Sequence, residues 1–288
     1  MRFSRRSFLL LLALKGIGAA SGADLLLPPV AGEISGKFQP LQLPGAPELA
    51  WKLVLASPGE KSRSGELVAE GPGTRLRVRL ELDASGNGTW RLVEGRVELK
   101  SWLNGQLTAG STELAGQGTL RDGRIDGEVT AQLHDVDLGE LARFADNEKA
   151  YVRAAEGRVE GRVGVRIRNG AVSAGESRLM LPAGTVGTVY FVPSPGLLTS
   201  YVPAQVRKLY PGIEAIEMGV TPLEAKVLRL TFHPDGDEAG RGARLRIEGR
   251  PRDPKLVAPL ELDVNFTGPL ESLVRKALDS RLKIGAGK

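Results

Sequence analysis

The fold of this chain is decided by residues 156–190, which read EGRVEGRVGVRIRNGAVSAGESRLMLPAGTVGTVY. Val163, Val165 and Ile167 alternate with glycine and arginine, and a period of two is typical of a strand with one apolar face. An Asn-Gly pair follows and predicts a tight turn, because both residues tolerate a positive φ. Apolar positions recur on the returning limb. The stretch therefore predicts a β-hairpin of two amphipathic strands.

The same pattern of strand, turn and strand recurs along most of the chain. In Thr74–Asp83 apolar and charged residues alternate, and Ser85–Gly88 supplies the next turn. The 37 glycines and the low aromatic content of 5% agree with many short strands joined by turns. We expect about a dozen strands, mostly antiparallel neighbours with one covered face and one wet face. The predicted class is mainly β, with apolar faces that either meet in a sandwich or barrel or line an open curved sheet.

Three segments have helical spacing instead. Leu138–Phe144 follows Asp137, a residue suited to the N-cap, with a glutamate three positions further on. Residues 193–211 form a second helical zone, which Pro203 is expected to kink or split. Pro269–Lys283 carries its leucines on one side and is the third predicted helix. The sequence thus predicts three short helices beside the strands.

The N-terminus predicts export from the cytoplasm. Ser4–Leu10 reads SRRSFLL, which matches a twin-arginine (Tat) signature, and a run of small residues ends at Ala23, where we expect cleavage. Lys15 interrupts the apolar run, which is shorter than the roughly 20 residues that a membrane span needs. A plain secretory signal is one alternative, and an uncleaved N-terminus that keeps the protein at the membrane is another. The expected location is the periplasm.

The predicted export signal, the leader, also sets the first domain boundary and lowers the net charge expected for the mature chain. Residues 1–23 form the export signal, 24–50 an extended lead-in with an edge strand at Gly32–Phe38, and 51–288 a single β-rich domain. The whole chain has a formal charge of +5, but the leader holds four basic residues and no acidic one. The mature chain would carry 35 basic against 34 acidic residues, which does not favour nucleic-acid binding. Because the chain has no cysteine, neither disulfides nor thiolate metal sites are expected.

The second half of the chain resembles a known family. Residues 136–191 are similar to the C-terminal region of YdbH-type proteins, which belong to the AsmA-like group of bridge-like intermembrane lipid-transport proteins. The similarity lies in a short Leu-rich helix, two Gly-Arg steps, the Asn-Gly turn and a Pro-x-Gly close. It continues in Pro234–Asp237 and in Ile247–Pro251, where Arg250 replaces the asparagine of the family pattern. In all, the resemblance spans residues 70–284.

The resemblance implies both a fold and a function. It implies a curved antiparallel sheet that forms an open, β-taco-like groove for acyl chains, and a non-enzymatic role in moving phospholipid between the inner and outer membranes. Family members of this type are much longer, and a dozen strands ~4.8 Å apart reach only about 60 Å. We therefore expect one module of a larger bridge, or a shuttle. The expected partners are phospholipid acyl chains, with an envelope membrane, an outer-membrane partner protein and self-assembly left open, and with no cofactor.

The groove would be lined by apolar residues of the alternating strands. These candidates are Leu76, Val78, Leu80, Leu82, Val97, Leu99, Val163, Val165, Ile167, Leu228, Leu230, Phe232, Leu262, Val264 and Phe266. An ordinary closed core is the alternative for the same residues. The arginine rows within Arg75–Arg79 and Arg162–Arg168 have two interpretations as well. They either meet anionic head groups or face solvent beside acidic cross-strand neighbours.

No catalytic motif accompanies this pattern. His134 and His233 are the only histidines, and neither has a cysteine or a second histidine at metal-binding spacing. The chain also lacks the Gly-x-Ser-x-Gly sequence of serine hydrolases. We therefore predict that the protein is not an enzyme. The alternative function is a structural or scaffold protein of the cell envelope that adds a strand to a partner.

Overall fold

The structure is a computed structural model that describes residues 32–38, 47–56, 62–102, 107–145, 152–169, 171–235, 241–256 and 260–267. Within these residues the protein is mainly β. The strands are β1 Gly32–Phe38, β2 Leu49–Leu55, β3 Arg63–Gly71, β4 Thr74–Leu82, β5 Gly88–Glu98, β6 Ser111–Arg121, β7 Arg124–Asp137, β8 Val152–Glu156, β9 Arg158–Arg168, β10 Ala171–Met180, β11 Gly187–Phe191, β12 Leu223–Phe232, β13 Arg241–Pro251 and β14 Leu260–Thr267. The helices are α1 Leu99–Trp102, α2 Leu138–Ala145, α3 Ala204–Leu209 and α4 Gly212–Glu217, with a 3-10 turn at Thr199–Tyr201.

Hydrogen bonds order the described strands in one antiparallel sheet. From β1 to β7 each strand pairs with the next in the chain, and the order continues through β9 and β10 to β12. β12 pairs with β10 and β11 along one edge and with β13 along the other, and β13 pairs with β14. The outermost partner of β11 is β8. The mainly β, antiparallel fold with few short helices that the sequence predicts is confirmed.

The chain forms two compact units. The first contains residues 1–133 and 162–175, and the second contains residues 134–161 and 176–288. The division falls within the hairpin of β9 and β10, so the stretch that decides the fold contributes strands to both units. The predicted edge strand Gly32–Phe38 is confirmed as β1. The predicted export signal lies outside the described residues, and the single domain over 51–288 stays a prediction.

The first unit has one apolar core. Every second side chain of β2, β3 and β4 is buried, as the alternating sequence predicts. The core also takes side chains from β5, β6, β7 and β9. Its buried members are Leu49, Trp51, Leu53, Leu55, Leu67, Ala69, Leu76, Val78, Leu80, Leu82, Trp90, Leu92, Val97, Leu120, Ile125, Val129, Val165 and Ile167.

Trp90 extends across β6 because that strand has glycines beneath the indole ring. Its indole nitrogen donates a hydrogen bond to the carbonyl oxygen of Asp126 on β7, 3.1 Å away. A Cβ atom at Gly118 would lie 2.7 Å from this nitrogen, and one at Gly116 would lie 3.3 Å from the ring. The missing side chains therefore make the space that lets a β5 tryptophan contact β7.

The alternation of Val97 and Leu99 predicts a strand over Arg96–Leu103, and the second half of that prediction is wrong. β5 ends at Glu98, whose partner Ser111 is the first residue of β6, so Leu99 has no residue of β6 to pair with. Leu99 instead begins the helical turn α1. The register of β5 shifts between Leu92 and Arg96, which places a bulge near Gly95.

Tight turns join the strands where the sequence predicts them. In the turn after β4, the Asp83 carboxylate accepts hydrogen bonds from the hydroxyl and amide of Ser85 and from the amide of Asn87. These donors, the Ser85 hydroxyl first, lower the pKa of Asp83. Asn169 adopts a positive φ of 50° between β9 and β10, as the predicted Asn-Gly turn requires.

The second unit has its helical segments between strands. Asp137 caps α2 as predicted, because its carboxylate accepts a hydrogen bond from the amide of Glu140 at 2.9 Å. The helical zone over 193–211 is split at Pro203, which is one of the two outcomes that the sequence predicts. It consists of turns and a 3-10 turn, and Pro203 and Pro211 each precede a short helix, where a proline needs no amide partner. The predicted helix Pro269–Lys283 lies outside the described residues.

Candidate functional site

The second unit carries an apolar face on β12. Leu228, Leu230 and Phe232 point to one side of this strand, in line with Leu223 and Ala225. The two groups share a side because the register of β12 shifts between Ala225 and Val227, and one extra residue restores the phase. Leu223 and Ala225 are buried, whereas the three later residues are only partly buried.

Neighbouring strands extend this face into cross-strand rows. Leu179 of β10 is opposite Leu230, which is opposite Leu245 of β13. Beside this row, Phe232 is opposite Ala243, and Leu228 is opposite Ile247. Residues directly opposite each other have Cβ atoms about 5 Å apart. We call this group the second-unit apolar face, and its members are Leu179, Leu228, Leu230, Phe232, Ala243, Leu245 and Ile247.

The three predicted groove residues of β14 continue the same rows by register. Leu262 pairs with Ile247, Val264 with Leu245, and Phe266 with Ala243. Six of the fifteen candidates therefore belong to two strands separated by β13 alone. The second-unit apolar face is only partly covered. Ala243 and Ile247 are buried, while Leu179, Leu230 and Leu245 are partly buried.

The candidates of the first unit have a different environment. Leu76, Val78, Leu80 and Leu82 expose only 1–3% of their surface, and all belong to the apolar core. Val97, Val165 and Ile167 are buried in the same core, and Val163 is partly buried. An acyl chain could contact these side chains only by displacing those already packed around them.

The first arginine row lies among acidic neighbours. Arg75 forms ion pairs with Glu70 at 3.2 Å and Glu94 at 3.3 Å. Arg77 lies 3.8 Å from Glu66 and 3.8 Å from Glu94. This arrangement agrees with the solvent-facing interpretation of these two arginines. Exposed pairs of this kind contribute little to stability.

A buried carboxylate that the sequence pattern did not single out organises the helical segment. Glu217 is 2% exposed and accepts hydrogen bonds from the amides of Gly196, Leu198 and Thr199 at 3.2, 2.8 and 3.0 Å. The Thr199 hydroxyl donates a further bond of 2.7 Å. Burial acts to raise the pKa of Glu217, but these donors outweigh it and the pKa lies below its ordinary value. Glu217 therefore stays ionised and fixes the turn that precedes α3.

The described part of the chain gives no sign of two other kinds of site. It contains no group of three or more histidine, aspartate and glutamate side chains placed to hold a metal ion. Its helices include none with the length and apolarity needed to cross a membrane. The apolar faces and the charged strand faces are thus the surfaces from which a function can be argued.

Comparison with protein-family models, curated proteins and solved structures finds no match for this chain. The resemblance to YdbH-type proteins therefore stays a prediction from sequence. Function has to be argued from the faces of the sheet themselves.

Proposed function

We propose that this protein is a non-enzymatic, periplasmic lipid-binding component of intermembrane phospholipid transport. One observation carries the proposal: the second-unit apolar face presents cross-strand rows of leucine and phenylalanine that are only partly buried. Sites for apolar ligands are lined by such residues and need few polar groups. Acyl chains would lie along these rows while head groups stay in water.

The energetic basis is burial of apolar surface. Each methylene group of an acyl chain removed from water contributes about 0.8 kcal/mol. Burial of only part of one acyl chain against the rows around Leu230 would therefore be enough to hold a lipid. The curved, groove-forming sheet and the YdbH-type resemblance belong to the same proposal. Bridging between two membranes would require further copies or partner proteins.

The first test is mass spectrometry of lipids extracted from the mature protein, purified from the periplasm without detergent. We expect near-stoichiometric phospholipid in the wild type and loss of lipid in Leu230→Asp. Val220→Asp is the matched control, because Val220 is 77% exposed in a turn of the same unit, outside the apolar face. Val165→Asp is a poor probe, since Val165 is buried in the first-unit core and an unpaired charge there destabilises the fold. Unchanged lipid in folded Leu230→Asp would contradict the proposal.

A scaffold that adds a strand to a partner is the second candidate. Among the described strands β1 pairs with β2 alone, so its outer edge offers backbone donors and acceptors. Charged residues accompany this edge: Lys37 pairs with Glu48 at 2.9 Å, and Glu33 pairs with Lys52 at 2.8 Å. Charges on an edge strand oppose indiscriminate pairing. A lipid-free, monodisperse protein would favour this candidate.

A further inference from the structure

The outer edge of β1 is a surface to which another strand can add. Among the described strands β1 pairs with β2 alone, and it does so over the whole of Gly32–Phe38. An unpaired strand edge presents a row of backbone amides and carbonyls that a further strand can bind. The side chains of β1 then decide which strand fits this edge.

The side chains of β1 divide between two faces. Glu33, Ser35 and Lys37 are exposed and form what we call the charged face of β1. Ile34 lies on the other face, is partly buried and packs against the first-unit core. Gly36 shares the face of Ile34, and a Cβ atom there would lie 3.1 Å from the indole of Trp51. β1 therefore has one face attached to its own core and one face directed to solvent.

The charged face of β1 is complementary to a second copy of itself. Glu33 comes two residues before Ser35 and Lys37 comes two residues after it, so the two charges exchange places when the strand is turned end to end. Two antiparallel β1 strands centred on Ser35 would place Glu33 of each copy opposite Lys37 of the other. Opposite charges that face each other across antiparallel strands stabilise the sheet. On the other face, Ile34 of each copy would lie opposite Gly36 of the other, where the missing side chain leaves room.

The same charges disfavour other pairings of two β1 strands. A parallel pair in register would bring glutamate beside glutamate and lysine beside lysine. An antiparallel pair centred on Glu33 or on Lys37 would likewise oppose like charges. A shift by an odd number of residues would turn the apolar face of one strand toward the side of the charged face of the other. The charges therefore favour one register, the one centred on Ser35.

Ion pairs within each copy hold the two charged side chains on this face. The Lys52 Nζ lies 2.8 Å from a carboxylate oxygen of Glu33, and the Lys37 Nζ lies 2.9 Å from one of Glu48. All four side chains are more than half exposed. Their charges sum to zero, so two copies of this surface meet without net repulsion. Pairing of the copies would extend the two ion pairs into a row of alternating charges and does not depend on an unpaired charge.

We propose that the outer edge of β1 binds a second copy of this chain, as a two-fold symmetric antiparallel strand pair centred on Ser35. A two-fold interface uses the same surface of both copies, which is the property that the charges of β1 have. An interface of one short strand from each copy is small, so we expect a dissociation constant on the order of 10 μM. This inference rests on the strand-adding candidate function, to which it gives a partner. It does not rest on lipid binding, because the second-unit apolar face takes no part.

Sedimentation velocity of the full mature chain, from about 1 to about 300 μM, tests the self-pairing. The wild type should change from monomer to dimer over this range. Glu33→Lys alone and Lys37→Glu alone should each weaken the dimer by about tenfold or more, because either change places two pairs of like charges in the interface. An equimolar mixture of the two variants should restore the dimer, since one copy then carries lysine at both positions and the other carries glutamate.

Glu81→Lys is the matched control for Glu33→Lys. It makes the same change in charge at an exposed position of β4, a strand that is paired on both sides. It should keep the dissociation constant of the wild type within about twofold. Circular dichroism checks the fold of each variant, which should be retained because Glu33 and Lys37 are exposed.

Four results would overturn the self-pairing of β1. They are a wild type that stays monomeric, a β1 charge variant that dimerises like the wild type, a control that loses the dimer to the same extent, and a mixture that stays monomeric like its components. Leu230→Asp should dimerise like the wild type, and Glu33→Lys should keep its bound lipid. Failure of the strand edge and failure of the lipid face can therefore be told apart.

Discussion

The two units contain the same sequence pattern in different environments. In the first unit, Leu76, Val78, Leu80 and Leu82 alternate with charged residues and are almost completely buried. In the second unit, Leu228, Leu230 and Phe232 of β12 share one face in the same way but stay partly exposed. Alternation therefore predicts which residues share a face, but it does not predict whether that face is closed. This difference is why we propose the second unit, rather than the first, as the lipid-binding surface.

Truncation of one leucine in each unit tests the comparison most strongly. Leu80→Ala should lower the free energy of unfolding by about 3 kcal/mol, because Leu80 is 1% exposed and its loss leaves a cavity. Leu230→Ala should cost about 1 kcal/mol, since part of its surface already contacts solvent. Urea denaturation of both variants measures the difference. Equal losses would show that the two faces are buried alike and would remove the basis for the proposed lipid face.

Adding a side chain beneath the Trp90 indole should have the next largest effect on the free energy of unfolding. Gly118→Ala should cost about 2 kcal/mol, because the added Cβ would collide with the carbonyl oxygen of Asp126 and with the indole. Denaturation followed by tryptophan fluorescence measures the loss and reports any displacement of the ring. Gly32→Ala is the control, because a Cβ at Gly32 meets no atom within 4 Å. A Gly118→Ala protein as stable as this control would mean that the core of the first unit adapts more easily than its tight packing implies.

The stability of the second unit should depend on pH through Glu217. Glu217→Gln should cost about 1.5 kcal/mol at neutral pH, because the four donors then face a weaker, uncharged acceptor. The pKa of Glu217 is lowered in the folded state, so its contribution is complete above the unfolded value of about 4.3. That contribution is lost as the pH falls through the lower folded pKa. Unfolding free energies from pH 7 to pH 3 should fall less steeply in the variant, and parallel curves would argue against this role.

Much of the fold follows from local signals. The alternation over Thr74–Asp83, the Asn-Gly turn after β9 and the N-cap Asp137 each depend on residues close together in the chain, and the structure confirms all three. β1 spans Gly32–Phe38 as predicted, and its backbone pairs in register with the neighbouring strand β2. These features are encoded by conformational preference and by the strand period.

The errors arise where distant residues decide the outcome. Leu99 leaves the sheet because β6 begins at Ser111 and offers no residue to pair with it. The split of the helical zone at Pro203 was predicted, but the role of Glu217 was not, because this side chain holds a turn about twenty positions away in the chain. The cross-strand pairing of Arg229 with Arg246 was also not predicted, although the alternating arginines of β12 and β13 are visible in the sequence. Their convergence depends on the register between strands.

The sequence by itself determined the mainly β class, the positions of most turns and which side chains share a face, because period and turn chemistry act within a few residues. The tertiary structure alone decided that the leucines of β4 form a closed core while Leu228 and Leu230 of β12 stay partly exposed. It also decided that Arg229 of β12 lies directly opposite Arg246 on the neighbouring strand β13. Burial and charge balance depend on what lies opposite a residue in space, and that neighbour comes from another part of the chain.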